Sequence, residues 1–257
     1  MVRETGLVTN REWTGQSVFN RRFEWGPFGV TALKPATVVV VDVLRFTTAV
    51  EAGTSQGAAI YPYRWLDDSA NEFARSIGAI VANGSIPRGP SLSPISLLML
   101  RANEMVVLPS PNGSTCAVLA AQTGATVVAA CLRNASAIGR ALRDHNETIT
   151  VIACGERWPD GSLRPSLEDL LGAGAVLSHL GGTPSPEARS AIAAWRDAEK
   201  NIGERLATCF SGQELISRGL TDDVNYASEV DASAVVPILR DGAFRAGDNE
   251  LDRYGDE

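Results

Sequence analysis

Thr37-Val38-Val39-Val40-Val41-Asp42-Val43-Leu44-Arg45-Phe46-Thr47-Thr48 is the stretch on which the fold turns. A β-branched run that is polar only at its far end reads as a strand covered on both faces. Such a strand needs helices above and below its sheet, and the next residues supply one. Thr47 to Thr54 has helix-like spacing and ends near Gly57, and Ala58 to Tyr63 reads as a second strand.

Moving outward, the pattern recurs. An offset of 67 residues lays Val39-Val40 on Val106-Val107, Thr48 on Thr115, Gly57-Ala58 on Gly124-Ala125 and Ser69-Ala70 on Ser136-Ala137. At the polar turn, Asp42 falls on Pro109, Arg45 on Asn112 and Thr47 on Ser114. Both copies read strand, polar turn, helix, Gly-Ala, strand, polar turn, helix, so an internal duplication is expected, with intertwined repeats at about 37–100 and 104–180. A third unit follows: strand Ile149–Ala153, a long loop from Gly155 to Pro165, and a helix from Ser166 to Leu180 with Ser166 and Asp169 spaced as a capping box. Pro184–Arg196 and Ser211–Gly219 read as helices, Val235–Arg240 as a last strand, and Phe23–Val30 as strand–turn–strand through Gly26-Pro27. Strands alternating with helices predict an α/β fold, a layered sheet with helices on its faces. One domain is expected over 1–246, with a disordered acidic tail from Gly247 to Glu257.

Composition narrows the function. The chain has 257 residues, 44% of them apolar and 21% charged, which suits a globular protein with an ordinary core. Its net charge is −7, and Lys34 and Lys200 are its only lysines, with no basic cluster. Nucleic acid is therefore not an expected partner. No apolar run approaches the ~20 residues of a membrane span, and the first residues lack the apolar segment of a signal peptide. A cytoplasmic protein with no membrane partner is expected. Cys116, Cys131, Cys154 and Cys209 show no C-x-x-C spacing and read as reduced packing residues. No cysteine has an arginine six positions on, Asp42 has Leu44 two places on, and neither G-x-x-x-x-G-K-[ST] nor G-x-G-x-x-G occurs. Thiolate phosphatases, D-x-D aspartyl nucleophiles and common nucleotide cradles are thereby excluded.

Ligands of such sheets gather beyond the carboxyl ends of the strands, where three polar stretches fall. At the first, Asp42 suits a hard cation and Arg45 an anionic oxygen, while Thr47 and Thr48 open a helix whose N–H groups favour anions. Helix capping by Asp42 and Thr47 explains the same residues equally well. At the second, Ser110 to Thr115, the turn through Asn112-Gly113 and the start of a helix at Ser114 and Thr115 suit a phosphate cradle of main-chain N–H groups, or an ordinary turn. At the third, Glu168 and Asp169 stand in a first helical turn, where the macrodipole favours carboxylates and where an Mg²⁺ site would find oxygen ligands. Arg133 and Asn134 end a further strand, and Gly155-Glu156-Arg157 is the weaker signal of a surface loop.

The ordered set VVVVDVLRFTTAV, SPNGST, NASAI (Asn134 to Ile138) and SLEDLLGAG (Ser166 to Gly174) resembles the 2-phosphosulfolactate phosphatase (ComB-like) family, as does Ser211 to Pro237. The resemblance runs from about Phe23 to Phe244. It implies a ComB-like α/β fold and Mg²⁺-dependent hydrolysis of 2-phosphosulfolactate to 3-sulfolactate and phosphate, a step of coenzyme M biosynthesis. It puts Asp42, Arg45, Asn112, Gly113, Thr115, Asn134, Glu168 and Asp169 on motif positions. The expected roles are catalysis for Asp42, Arg45, Glu168 and Asp169, and Mg²⁺ binding for Asp42 with Glu168 or Asp169. Substrate contacts are expected from Arg45, Thr47, Thr48, Asn112, Gly113, Ser114, Thr115, Arg133 and Asn134, with Arg88 or Arg133 pairing with a sulfonate or carboxylate. The partner is then a small anionic organic phosphate, and a homodimer is an expected assembly. The chain departs from the family where a glutamate loop and a stretch like GFDLGNSP are usual: Ala82 to Leu97 has no acidic residue, and only Ser93-Pro94 matches. SPNGS also stands where TTNGT is commoner. A different phospho-acid substrate, or a non-catalytic anion or metabolite binder, remains an alternative.

Overall fold

The computed structural model describes residues 15–84 and 89–247. The elements run β1 (Arg21–Trp25), α1 (Gly26–Leu33), β2 (Thr37–Val41), α2 (Phe46–Ser55), β3 (Ala59–Tyr63), α3 (Ser69–Ile77) and β4 (Ile80–Val81). A one-turn helix, α4 (Pro94–Leu97), leads into β5 (Met105–Pro109), α5 (Gly113–Gln122), β6 (Thr126–Ala130), α6 (Ala135–Leu142) and β7 (Ile149–Ala153). Then come β8 (Glu156–Arg157), β9 (Leu163–Arg164), α7 (Leu167–His179), α8 (Pro186–Ala198), α9 (Ile202–Thr208), α10 (Phe210–Ser217), α11 (Thr221–Ala227), β10 (Pro237–Arg240) and β11 (Ala243–Ala246). The expected α/β class holds.

Nine strands form one sheet in the order β1-β7-β2-β6-β10-β11-β3-β5-β4. Strands β1, β7, β2 and β6 are parallel, as are β3, β5 and β4, and the antiparallel β10–β11 hairpin joins the two groups. The 67-residue offset lays α2 on α5 and β3 on β6 along their full lengths. The same offset brings β2 to within one residue of β5, and the runs β7-β2-β6 and β4-β5-β3 take matching places on either side of the central hairpin. The strands pair across the two segments, β2 with β6 and β5 with β3.

Strand β2 is buried on both faces because both its rows are valine. Val39 and Val41 face one core with Leu171 and Val176 of α7 and Trp195 of α8; Val38 and Val40 face another with Phe46 and Val50 of α2 and Ala117 of α5. Each buried valine contributes roughly 1.5–3 kcal/mol relative to exposure. Helices α7 and α8 cross closely at Gly174, where a Cβ would lie 2.1 Å from the Ala191 carbonyl oxygen. Helix α2 is buried along nearly its whole length, including Glu51, whose carboxylate accepts from Arg133 Nε at 3.0 Å.

Several local expectations need correcting. After Trp25 the chain enters α1 instead of a second strand, because Gly26 turns with φ +58° and Pro27 fits the first turn of a helix. The Gly155–Pro165 loop carries the β8–β9 hairpin. The last strand begins at Pro237 and returns through β11, and α9 and α11 stand in segments with no predicted element. Gly247 is held by its N–H to the Val236 carbonyl at 2.8 Å, while the rest of the expected tail, 248–257, lies outside the described residues.

Candidate active site

Asp42 follows the last residue of β2, and its carboxylate is met by two helices. Oδ1 accepts the Phe46 N–H at 3.0 Å and Oδ2 accepts the Gly113 N–H at 3.0 Å, the first residues of α2 and α5. The turns after β2 and β5 are thus joined through one side chain. Position 113 must be glycine for this approach: a Cβ there would lie 2.2 Å from Phe46 Cδ1 and 2.7 Å from Asp42 Oδ2. The Gly113 N–H expected to cradle phosphate is therefore given to Asp42.

Asp169 bridges two turns in the same way. Oδ1 accepts the Val43 N–H and Oδ2 the Gly155 N–H, each at 2.8 Å. Its carboxylate thus faces other turns, and Ser166 makes no side-chain cap bond, so the expected capping box is absent. Glu168, next along α7, is also buried. Burial above all, then the negative charges of Glu156 and Glu168, push Asp42 up to about 7 despite its two N–H donors. Burial, then Asp42 and Glu168, hold Asp169 well above the usual carboxylate range. Glu156 is raised by burial and then by Glu168, with Arg164 opposing. Beside Glu168, the Cys209 thiol is pushed up to about 12, by burial first and by that carboxylate second.

The polar turn residues divide between these acids and the turns themselves. Asn112 Nδ2 donates to Glu156 Oε2 at 3.0 Å. Thr47 Oγ1 donates to the Asp42 carbonyl at 2.8 Å, Thr48 Oγ1 to the Val43 carbonyl at 2.7 Å and Ser114 Oγ to the Leu108 carbonyl at 3.0 Å. These three hydroxyls are buried and donate to main-chain carbonyls. Thr115 is also buried.

Arg133 and Asn134 belong to other networks. Arg133 binds Glu51, Glu229 and the Tyr226 carbonyl, with its guanidinium 3.6 Å from the Tyr226 ring centre. Asn134 accepts the Cys131 N–H at 2.8 Å and donates to the carbonyls of Ala129 and Val235. Arg133 Nε and Nη1 and the Asn134 side-chain amide are thus engaged with protein partners, and Arg88 lies outside the described residues. Arg45 ends at Asp223, Nη1 to Oδ2 at 2.6 Å, and lines a cavity of about 480 Å³. Gly53-Thr54-Ser55-Gln56-Gly57 spells G-x-S-x-G but lies at the end of α2, whereas a hydrolase serine elbow stands between a strand and the helix it opens.

Asp223, which holds Arg45, and Ser93, which bonds Asp223, lie within stretches compared with the family but are not singled out there as site residues. Asp223 sits 178 residues from its partner in an acidic helix start that solvent exposure would explain. Glu156 was legible only as part of a loop.

The family model described as 2-phosphosulpholactate phosphatase matches residues 30–242. The chain belongs to the 2-phosphosulfolactate phosphatase family. Among its relatives is a Thermus thermophilus protein named probable 2-phosphosulfolactate phosphatase, 33% identical over 80% of this chain and 89% of that protein. A Deinococcus radiodurans protein with the same name is 31% identical over 81% and 89% of the two chains. A Methanothermobacter thermautotrophicus protein named 2-phosphosulfolactate phosphatase is 24% identical over 79% and 87%.

In this member of the family, the donor set can be tested against a divalent cation. The charges that raise Asp42 are both negative, Glu156 and Glu168, and its two protein contacts are amides. Neutral donors leave that repulsion in place, whereas a hard cation relieves it. Among the described residues no group of three or more His, Cys, Asp or Glu side chains is arranged to hold a metal ion. Mg²⁺ usually takes one or two carboxylates and keeps several waters, so the residues fit it at that lower number. Both Asp169 oxygens serve main-chain N–H groups, as both Asp42 oxygens do.

Proposed function

We propose that the protein hydrolyses the phosphate ester of 2-phosphosulfolactate, giving 3-sulfolactate and phosphate, with Mg²⁺ held by Asp42 and Glu168. The observation that carries this reading is the Asp42 carboxylate, seated on the first N–H groups of α2 and α5 beside Glu156 and Glu168. When bound, Mg²⁺ supplies Lewis-acid polarisation of the phosphoryl group. Arg45 supplies a guanidinium for equatorial phosphoryl oxygens, where charge builds in the transition state. The N–H groups of Ser114 and Thr115, in the first turn of α5, have no intrahelical acceptor and serve the same oxygens. Asp169 holds the Val43 and Gly155 turns in place and so sets the spacing between β2 and α7.

Two further parts belong to this reading. The halves at the 67-residue offset derive from one duplicated unit, supported by the matching spans of α2 with α5 and β3 with β6. The cellular setting is the cytoplasm, supported by four unpaired buried cysteines; among the described residues no helix is long and apolar enough to cross a membrane.

A second substrate has one observation in its favour: Ala82 to Leu97 lacks the acidic loop usual in the family. Phosphate release with Mg²⁺ from 2-phosphosulfolactate, measured beside 2-phospho-acids without a sulfonate, separates the cases. The sulfonated ester should turn over fastest. Faster release from the non-sulfonated acids would transfer the function to them. Heat stabilisation by these acids without any turnover would leave a metabolite binder in place of an enzyme.

A further inference from the structure

The Arg45 guanidinium is held from behind by residues distant in the chain. Nη1 donates to Asp223 Oδ2 at 2.6 Å, and Asp223, on α11, is 2% exposed. The other oxygen, Asp223 Oδ1, accepts from Ser93 Oγ, and Ser93 is the residue before α4. Arg45 itself precedes α2. Three helix starts or short helices thus converge on one side chain.

A guanidinium carries five N–H donors in a rigid planar fork. Asp223 engages one of them. Arg45 also lines the 480 Å³ cavity, together with Ser91, Ser93 and Pro109, the residue that ends β5 just before the Ser110–Gly113 turn. One edge of the fork is therefore anchored while the side chain still borders open space next to the turn of the second copy. As a source of stability such a buried pair is a weak choice, since desolvation offsets much of its attraction. As a way to aim a long, flexible side chain it is effective, because the rotamer is chosen before the anion arrives.

We propose that Asp223 is a positioning residue for this phosphatase: it fixes the Arg45 fork toward the anionic oxygens of the substrate, and Ser93 orients Asp223 in turn. This rests on the role of Arg45 in the proposed function. Neither Asp223 nor Ser93 touches the reacting atoms.

The test measures kcat and KM with 2-phosphosulfolactate and Mg²⁺ for Arg45→Ala, Asp223→Asn, Asp223→Glu, Ser93→Ala and the double variant Arg45→Ala/Asp223→Asn. Misplacing a positioning group by an ångström can lower kcat/KM by up to ~10²-fold, so Asp223→Asn should lose roughly 10–10²-fold. Asp223→Glu should recover part of this, and Ser93→Ala should lose a few-fold at an unchanged melting temperature. On the Arg45→Ala background, Asp223→Asn should remove nothing more, since the two act as one unit. Should Asp223→Asn fail to fold, Ser93→Ala decides alone: a folded, fully active Ser93→Ala overturns the proposal. A fully active Asp223→Asn beside an impaired Arg45→Ala overturns it too, as does an additive loss in the double variant. Full activity of Arg45→Ala is a different result, because it removes Arg45 from the proposed function itself.

Discussion

The turn after β2 and the turn after β5 hold equivalent places in the two halves, yet their chemistry is opposite. The first presents a carboxylate, Asp42. The second presents a bare N–H, Gly113, with no side chain in the way. Two carboxylates meeting there would repel in a buried setting, and two glycine turns would leave no charge to bind a cation. The site is asymmetric because a carboxylate from the turn after β2 meets an N–H from the turn after β5. The ends of the second strands differ as well. After β6, Asn134 ties the chain back to Cys131, Ala129 and Val235, whereas after β3 Tyr63 OH donates to Ser69 Oγ and no corresponding amide is present.

The strongest way to break the contrast is Asp42→Asn. The amide keeps the shape, but its NH₂ faces one of the two N–H donors and the charge is gone. Hydrolysis should fall by roughly 10²–10³-fold, several kcal/mol of transition-state stabilisation, while circular dichroism still reports a folded protein. An active Asp42→Asn enzyme would move the cation site elsewhere.

Gly113→Ala attacks the other side of the same contact. The added Cβ overlaps the Phe46 ring, so α2 and α5 must separate, which should cost about 1–3 kcal/mol of stability. A calorimetric melting temperature equal to the wild-type value would contradict the close approach.

Two neighbouring acids sharpen the assignment. Glu168→Gln should weaken Mg²⁺ binding in a calorimetric titration with little effect on melting. Asp169→Asn should lower stability by about 1–3 kcal/mol, since its NH₂ would face the Val43 or Gly155 N–H. The opposite pattern would assign the cation to Asp169.

The smallest effect is read from pH. With Asp42 raised to about 7, the folded chain keeps a proton that the unfolded chain, with its ordinary carboxyl, has lost above pH ~4. Stability of the metal-free protein therefore decreases as pH rises between those values. From pH 5.5 to 8 the loss from this group should be at most about 2 kcal/mol, and Mg²⁺ should offset it by binding the ionised form. A metal-free protein that melts higher at pH 8 than at pH 5.5 would remove the cause given for the Asp42 shift.

Much of this was legible from local pattern. The valine run of β2, the Gly-Ala pairs and the Asn112-Gly113 turn carry their conformations in their own side chains, and Asp42 stood out as the one charge at the end of an apolar strand. What stayed hidden depends on distant chain. Trp25 to Val30 could turn into either a strand or a helix, and α1 forms where it can pack beside α5, for which no local signal exists. Thr47, Thr48 and Ser114 looked like ligands because their hydroxyls open helices, but burial made the nearest carbonyls their acceptors. The ion pairs of Arg133 with Glu51 and Glu229, 82 and 96 residues away in the chain, had no local signal either.

Local order, then, was set by the chain itself: which segments extend, which coil, where each turn falls and which turns carry an acid or a guanidinium. Those choices follow from side-chain shape and periodicity within a few residues. Which acid meets which amide, and which arginine is left facing open space, was decided only when β2 and β5 came together through the strands between them. Burial and charge coupling depend on separation in space, and no spacing along a chain encodes that.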